Sequence, residues 1–323
     1  MRAPPGSSHF YFIKSNQYLR TLKTQPMTKS QANSLMLFTA MIWGFAFVAQ
    51  RAGMEHLGPF AFTSIRFALG SISLILVAYI ISRIQKKSFI FEKKIFIHAA
   101  MAGSVLFLGA VFQQWGLVYT TAGKGGFITG LYVIFVPILG IFSGYKTGPR
   151  VWAGIILALV GMYLLSIKSG FTVEIGDLLI LFSAFFWALH LIIIAKISPL
   201  YDSFKISSLQ FAVVAILSGI ITIFAEAEQT TTQNIYNAGI PILYGGLVSV
   251  GIAYTLQVVA QKHAHPSYVS ILLSFESVFA VIGGWLILNE SFTVRDLSGC
   301  GLMLAGILVA QSADIMIPDA DIK

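Results

Sequence analysis

SIRFA at residues 64–68 returns as SLQFA at residues 208–212, and this pair of segments shows how the chain is organised. The same offset carries Trp43 onto Trp187, so the chain contains two copies of one unit. Each copy holds about five apolar stretches that are long enough to cross a bilayer. Because an odd number of crossings reverses the direction of the chain, the second copy begins on the opposite side of the membrane. Such inverted repeats are typical of secondary transporters, whose substrate site lies between the halves.

The composition is that of a membrane protein. Of 323 residues, 56% are hydrophobic and 11% are charged, whereas roughly a quarter of a soluble domain is charged. The mean hydropathy is +0.80. The formal net charge is +8, but the basic residues lie in short loops beside apolar segments, which favours a bilayer over nucleic acid as the partner. Cys300 is the only cysteine, so the chain has no intrachain disulfide.

The apolar stretches and the breakers between them predict an all-α integral membrane protein with ten transmembrane helices, arranged as two inverted five-helix repeats. We place the repeats at residues 35–168 and 169–312, between tails at 1–34 and 313–323. The ten helices are predicted at residues 35–53, 59–82, 95–119, 122–143, 149–168, 177–196, 204–225, 239–261, 267–288 and 294–312.

Lysine and arginine are concentrated on one side of this topology. The loop at 83–94 is rich in lysine, while the polar loop at 226–238 contains neither lysine nor arginine. Positive residues favour the cytoplasmic side. The sequence therefore predicts a multi-pass protein of the cell membrane, of the bacterial inner-membrane type, with both termini in the cytoplasm. The basic segment at 1–26 lacks the apolar core of a secretory signal; we leave open whether it is a disordered tail or a dispensable extension.

Two motifs carry a resemblance to a known family. IWGFAF at residues 42–47, followed by Pro59, resembles the opening of an EamA-type repeat of the drug/metabolite transporter superfamily. ESVFA at residues 276–280, followed by Asn289, resembles the end of such a repeat, although the family's usual Glu-Pro pair reads Glu-Ser here. The resemblance implies a ten-helix transporter of metabolites, often an exporter. It leaves the metabolite open, because the superfamily is wide in substrate.

Two ionisable residues fall inside predicted membrane helices, where a charge is costly and is by default a functional candidate. Glu276 lies near the middle of the ninth helix and Arg66 lies in the second. Glu276 is interpreted as a proton carrier or as the counter-charge to a cationic group of the substrate. The alternative is that it pairs with Arg66, or with serines, and serves packing. Arg66 either contacts substrate or has such a structural role.

Further polar and aromatic side chains recur at helical spacing, so that several helices have one polar face. Trp43 and Trp187 occupy equivalent positions and are predicted to form two aromatic walls of a cavity; the alternative is anchoring at the membrane interface. The other candidates for the cavity can also be explained by hydrogen bonds between helices. They are Gln50, Gln113, Gln114, Thr129, Tyr132, His190, Gln210, Tyr254, Gln257 and Ser274.

These features together predict a secondary active transporter of a small metabolite, such as an amino acid or a drug-like amphipathic compound. It would work by alternating access between the two halves, with protons as a candidate coupling ion. We expect no enzymatic activity, no cofactor, no metal site and no nucleic-acid partner, because the sequence shows no catalytic, nucleotide or metal-ligand motif. The alternative functions are a channel and a lipid-handling protein. The oligomeric state stays open.

Overall fold

The computed structural model describes residues 27–86, 88–166, 174–262, 264–289 and 293–311, and every regular element in them is helical. The predictions about residues 1–26 and about the C-terminal tail fall outside the described residues. Ten main helices follow one another along the chain. They are α1 (Lys29–Gly53), α2 (Pro59–Ile84), α3 (Lys93–Gly116), α4 (Ala122–Phe142), α5 (Pro149–Ser166), α6 (Ile175–Ile197), α7 (Ser203–Ala225), α8 (Gly239–Gln261), α9 (Pro266–Leu288) and α10 (Val294–Gln311).

Helix ends follow local sequence signals. α1 begins with a capping box, in which the Thr28 hydroxyl accepts from the Gln31 amide and the Gln31 side chain accepts from the Thr28 amide. α7 begins at the Asp202 cap. α9 ends at Asn289, whose φ of 54° is left-handed and stops the helix. α4 and α9 are both interrupted midway, at Leu131 and at residues 274–275.

Eight helices of the described residues are long and apolar enough to cross a membrane. α5 and α10 contain the shorter apolar stretches Pro149–Gly161 and Leu297–Ala310. The all-helical membrane class is therefore confirmed. The described residues support eight crossings by length and composition, two fewer than the ten predicted, because the apolar stretches found in α5 and α10 are shorter than a membrane span.

The two halves of the chain pack mainly on each other. α2 lies along α7, α5 along α10, and α4 against α9. α1 packs on α8 and α9, and α6 packs correspondingly on α3 and α4. Each helix of the first repeat has a counterpart five helices later in the second repeat. Every packing pair named here either joins a helix to its own counterpart or recurs between the corresponding helices. The repeat in the sequence is thus a repeat of packing, and the contacts between the halves surround the centre of the molecule.

Small residues allow the outermost of these pairs to approach closely. A Cβ atom on Gly154 would lie 2.6 Å from the Gly306 carbonyl oxygen, and one on Gly161 would meet the Gly299 carbonyl oxygen. The glycines repeated in the sequence therefore join α5 to α10, and neither helix lines the central cavity described below.

Glu226, at the end of α7, has a structural role across the α2–α7 pair. Its carboxylate accepts from the backbone amides of Phe60 and Ala61, at 3.2 and 2.7 Å, in the first turn of α2. A negative charge is favourable at a helix N-terminus. The sequence had placed Glu226 in a polar loop, since nothing local shows that it reaches a helix far away in the chain.

Candidate functional site

A cavity lies between the two halves at the centre of the helices. About 30 Å³ is open to the centre of a water-sized sphere, which is room for about two water molecules. The cavity is therefore small in this conformation. The lining comes from α1, α2, α3, α4, α6, α8 and α9. It consists of Trp43, Ala46, Phe47, Gln50, Arg66, Gln113, Thr129, Tyr132, Trp187, His190, Leu191, Ser249, Tyr254, Gln257, Leu273 and Glu276.

The structure brings most of the predicted site residues to this one cavity. These residues come from distant parts of the chain, and their convergence depends on the packing of one half on the other. Those that line the cavity are Trp43, Gln50, Arg66, Gln113, Thr129, Tyr132, Trp187, His190, Tyr254, Gln257 and Glu276.

Three predicted residues lie behind the lining. The Gln114 amide donates to the Gln50 carbonyl oxygen at 3.4 Å, so it faces α1. Gln210 reaches the cavity indirectly, because its Oε1 lies 2.9 Å from His190 Nε2. The Ser274 hydroxyl donates to the Ile271 carbonyl oxygen of its own helix.

Five lining residues were not among the predicted ones. Ala46, Phe47, Leu191 and Leu273 are apolar, and an apolar side chain that faces a cavity looks in the sequence like one that faces lipid. The helical spacing from Trp43 to Gln50 could have identified the first two, because they lie on the same face of α1. Ser249 contributes chiefly its carbonyl oxygen, which accepts from Trp43 Nε1 at 3.3 Å.

Three aromatic rings of the cavity lining contact one another. The Tyr254 ring lies between the two equivalent tryptophans, with its centroid 4.6 Å from that of Trp43 and 5.9 Å from that of Trp187. The planes of Tyr254 and Trp187 are nearly parallel, at 25°. Both tryptophans line the cavity, and a third ring, that of Tyr254, contacts each of them.

Arg66 and Glu276 bring opposite charges to the cavity without pairing. They are 2% and 3% exposed, and no ion pair within 4.0 Å joins them in the described part of the chain. The Arg66 guanidinium lies 4.9 Å from the centre of the Phe67 ring, a cation–π contact. The direct pairing considered from the sequence does not form, and each charge is left for another partner.

Several polar atoms of the lining have no hydrogen-bonding partner in the described structure. They include Arg66 Nε, Thr129 Oγ1 and Gln257 Oε1. The Tyr132 hydroxyl and Glu276 Oε1 also lack a well-formed hydrogen bond, but these two side chains lie close to each other. His190 Nδ1 is also unpartnered. A buried polar atom without a partner costs about 1–3 kcal/mol. The cavity therefore presents donors and acceptors that a polar ligand can satisfy.

The hydrogen bonds of the two repeats differ at equivalent positions. Trp187 Nε1 donates to Gln113 Oε1 at 2.7 Å, and the Gln113 amide donates to Gln50 Oε1 at 3.2 Å. Their counterparts do not bond in this way. Trp43 donates to a backbone carbonyl, and the amide of Gln257, the counterpart of Gln113, donates to Gln261.

An ion pair joins the ends of two helices from different halves. Lys124 Nζ lies 2.7 Å from Asp177 Oδ2. Lys124 is in the first turn of α4, which Thr121 caps, and Asp177 is in the first turn of α6, which Glu174 caps. The pair ties these helix ends together at one end of the bundle.

Comparison with known proteins agrees with the repeats and with the fold. The profile of the EamA-like transporter family matches residues 31–167 and again residues 174–311. An "uncharacterized transporter" of Archaeoglobus fulgidus is 31% identical over 280 residues, which cover 85% of this chain and 84% of that protein. The "uncharacterized transporter YoaV" of Bacillus subtilis is 23% identical, over 85% of this chain and 94% of its own length. One solved crystal structure superimposes with a TM-score of 0.73 at 17% identity, covering 88% of this chain and 99% of the other, and this likeness concerns the fold alone.

Proposed function

The chain belongs to the EamA-like transporter family, and from this premise we propose that it is a secondary active transporter of a small zwitterionic metabolite of the amino-acid type. It is a multi-pass membrane protein, and its family membership indicates transport rather than catalysis. The observation that carries the proposal is the central cavity with two opposite charges that do not pair with each other. A zwitterion supplies a partner to both charges at once.

The chemistry of the cavity suits an amino acid. Arg66 presents a guanidinium, which favours a carboxylate. Glu276 presents a carboxyl group, which pairs with an ammonium group. The rings of Trp43 and Trp187 offer apolar surface to the rest of the molecule. A polyanion would need several inward lysines or arginines, whereas the described lining contains one, Arg66, and one histidine, His190.

We further propose that transport proceeds by alternating access. Equivalent residues of the two repeats make different hydrogen bonds in this conformation. If each repeat adopted the hydrogen bonds of the other, the result would be a second conformation of the transporter. In that state Trp43 would bond to Gln257, and Trp187 would leave Gln113. The Lys124–Asp177 pair, which bridges the halves at one end, would open and close with this exchange.

The membrane arrangement completes the proposal. All ten helices cross, α5 and α10 included, so that the two five-helix repeats are inverted. We expect reporters fused after Lys323 and within the 83–94 loop to be in the cytoplasm, and one inserted at 226–238 to be outside. A C-terminal reporter that is active only outside the cytoplasm would contradict ten crossings.

Ligand binding by the purified protein tests the proposed substrate class. We expect at least one free amino acid, from a series running from alanine to tryptophan, to raise the melting temperature. At a concentration about 100 times its Kd, a ligand stabilises the folded state by about 2.7 kcal/mol. The matched controls are the N-acetyl derivative, which lacks the ammonium, and the methyl ester, which lacks the carboxylate. Stabilisation that is absent for the whole series, or that is as large for either derivative as for the free amino acid, would contradict a zwitterion site.

A further inference from the structure

We propose that Tyr254 is a specificity-determining residue that occupies the space of the substrate's side chain and limits the size of substrate that the cavity admits. This inference rests on the proposed function for the identity of the cargo. Its structural basis is the position of one ring at the centre of the cavity, and that basis is independent of the two charges.

Tyr254 is surrounded by other rings. In addition to the two tryptophans, the Phe211 ring centroid lies 5.5 Å away and the Phe67 ring centroid 6.1 Å away. Tyr254 is 4% exposed. It is close enough to both Arg66 and Glu276 to interact with their charges. The ring is thus close to Arg66 and Glu276, which would bind the two charged groups of a zwitterion, and to the tryptophans, which would contact its side chain.

The first repeat has no ring at this place. The offset that carries Trp43 onto Trp187 and Gln113 onto Gln257 carries Ala110 onto Tyr254. Each repeat therefore supplies one tryptophan to the cavity lining, whereas only the second repeat supplies a tyrosine ring at this position. The fold of the repeat does not require a tyrosine at this position, since the first repeat packs a buried alanine, Ala110, at the equivalent place.

The backbone before Tyr254 also departs from the first repeat. α8 is π-helical over Tyr244–Ala253, whereas its counterpart α3 is a regular α-helix. Gly246 approaches Arg66 and Leu69 of α2, just as Gly103 approaches Gln210 and Val213 of α7. The stretch from Gly246 to Gln257 is nonetheless one residue longer than the stretch from Gly103 to Gln113.

The wide turns absorb this additional residue and bring the residues after them back into register with the first repeat. Such π-helical insertions are frequent at functional sites, where they re-aim side chains. In α8 the insertion ends at Ala253, directly before the ring that fills the cavity. With that ring in place, about 30 Å³ remains for the centre of a water molecule. The Tyr254 ring is therefore one of the side chains that limit the free volume of the cavity, and its truncation would enlarge that volume.

Removal of the ring should admit larger substrates. We expect wild-type protein in proteoliposomes to prefer alanine to tryptophan as a competitor of uptake. In Tyr254→Ala, the ratio of apparent affinities should shift at least tenfold toward tryptophan. Tyr254→Phe keeps the ring and should keep the wild-type ratio. Tyr244→Ala, which truncates a tyrosine of the same helix outside the cavity, is the matched control. An unchanged ratio in folded Tyr254→Ala would overturn the inference.

A second measurement decides the inference if the alanine variant transports poorly or if no zwitterion is carried. Indole is neutral and aromatic, and a void left by a large apolar side chain binds such molecules. We expect indole to raise the melting temperature of detergent-solubilised Tyr254→Ala, or of Tyr254→Leu if that folds better, but not that of wild type. No difference between variant and wild type would overturn the inference. Failure of every zwitterion to bind wild type, with indole still selective for the variant, would refute the proposed cargo and leave Tyr254 as the filler of the cavity.

Discussion

Glu276→Gln is expected to abolish accumulation driven by a pH gradient, while exchange of substrate across the membrane persists at substrate concentrations high enough to offset the lost contact with the ammonium group. An ionised carboxylate is costly in a medium of low dielectric, so the side chain should carry a proton whenever no cationic group of the substrate faces it. Release and rebinding of that proton on opposite sides would couple the two fluxes. Glutamine keeps the shape and the hydrogen-bonding capacity but has no proton to release.

The size of this effect follows from the gradient. A difference of one pH unit is worth about 1.4 kcal/mol per proton, or about tenfold accumulation. Accumulation by Glu276→Gln should fall to the level of equilibration, as measured by uptake into proteoliposomes with and without the imposed gradient. Glu55→Gln, which neutralises an exposed carboxylate, is the matched control and should accumulate normally. Full accumulation by Glu276→Gln would leave the carboxyl group with a structural role.

Arg66→Gln is expected to weaken the binding of zwitterions by about 10- to 100-fold. The estimate corresponds to one charge-assisted hydrogen bond, worth about 1.5–3 kcal/mol. Glutamine is the residue that the second repeat carries at the equivalent position, Gln210. We therefore expect the variant to fold. Titration of the melting temperature with amino acids measures the loss, and Arg51→Gln, which removes an arginine outside the cavity, serves as the control.

The double variant distinguishes substrate contact from internal pairing. If Arg66 and Glu276 act on different ends of a ligand and not on each other, their effects on the free energy of unfolding should add. If they stabilised one another, Glu276→Gln would fold poorly and Arg66→Gln in the same chain would restore it in part. The absence of an ion pair between them in the described structure predicts that any departure from additivity is small.

The sequence identified the family and the helical membrane class, and both are confirmed. The reason is physical: two copies of a unit and long apolar stretches leave few other arrangements in a bilayer. Polar residues within those stretches were a useful guide, since Gln113, His190 and Gln257 have no reason to be there unless they meet a partner. Each of them lies at the central cavity.

What the sequence could not show depends on contacts between distant segments. Gln210 and Gln257 look alike in the sequence, yet one supports His190 from behind and the other lines the cavity. Leu191 and Leu273 reach the cavity as apolar residues, without a polar signal. Tyr254 was predicted as a cavity residue, but its contact with both Trp43 and Trp187 was not. The π-helical stretch directly before it changes the spacing, whereas periodicity assumes a regular helix throughout.

Counterflow in proteoliposomes tests most directly whether this protein is a carrier with the proposed cargo. Vesicles are loaded with unlabelled amino acid, the one that stabilises the purified protein most, and are diluted into a trace of the labelled form. A carrier predicts a transient overshoot of label inside that saturates with substrate. Empty vesicles and wild type without internal substrate are the controls. Conductance that rises linearly with voltage, without overshoot, would indicate a channel, and no flux of any zwitterion would contradict the proposed transport.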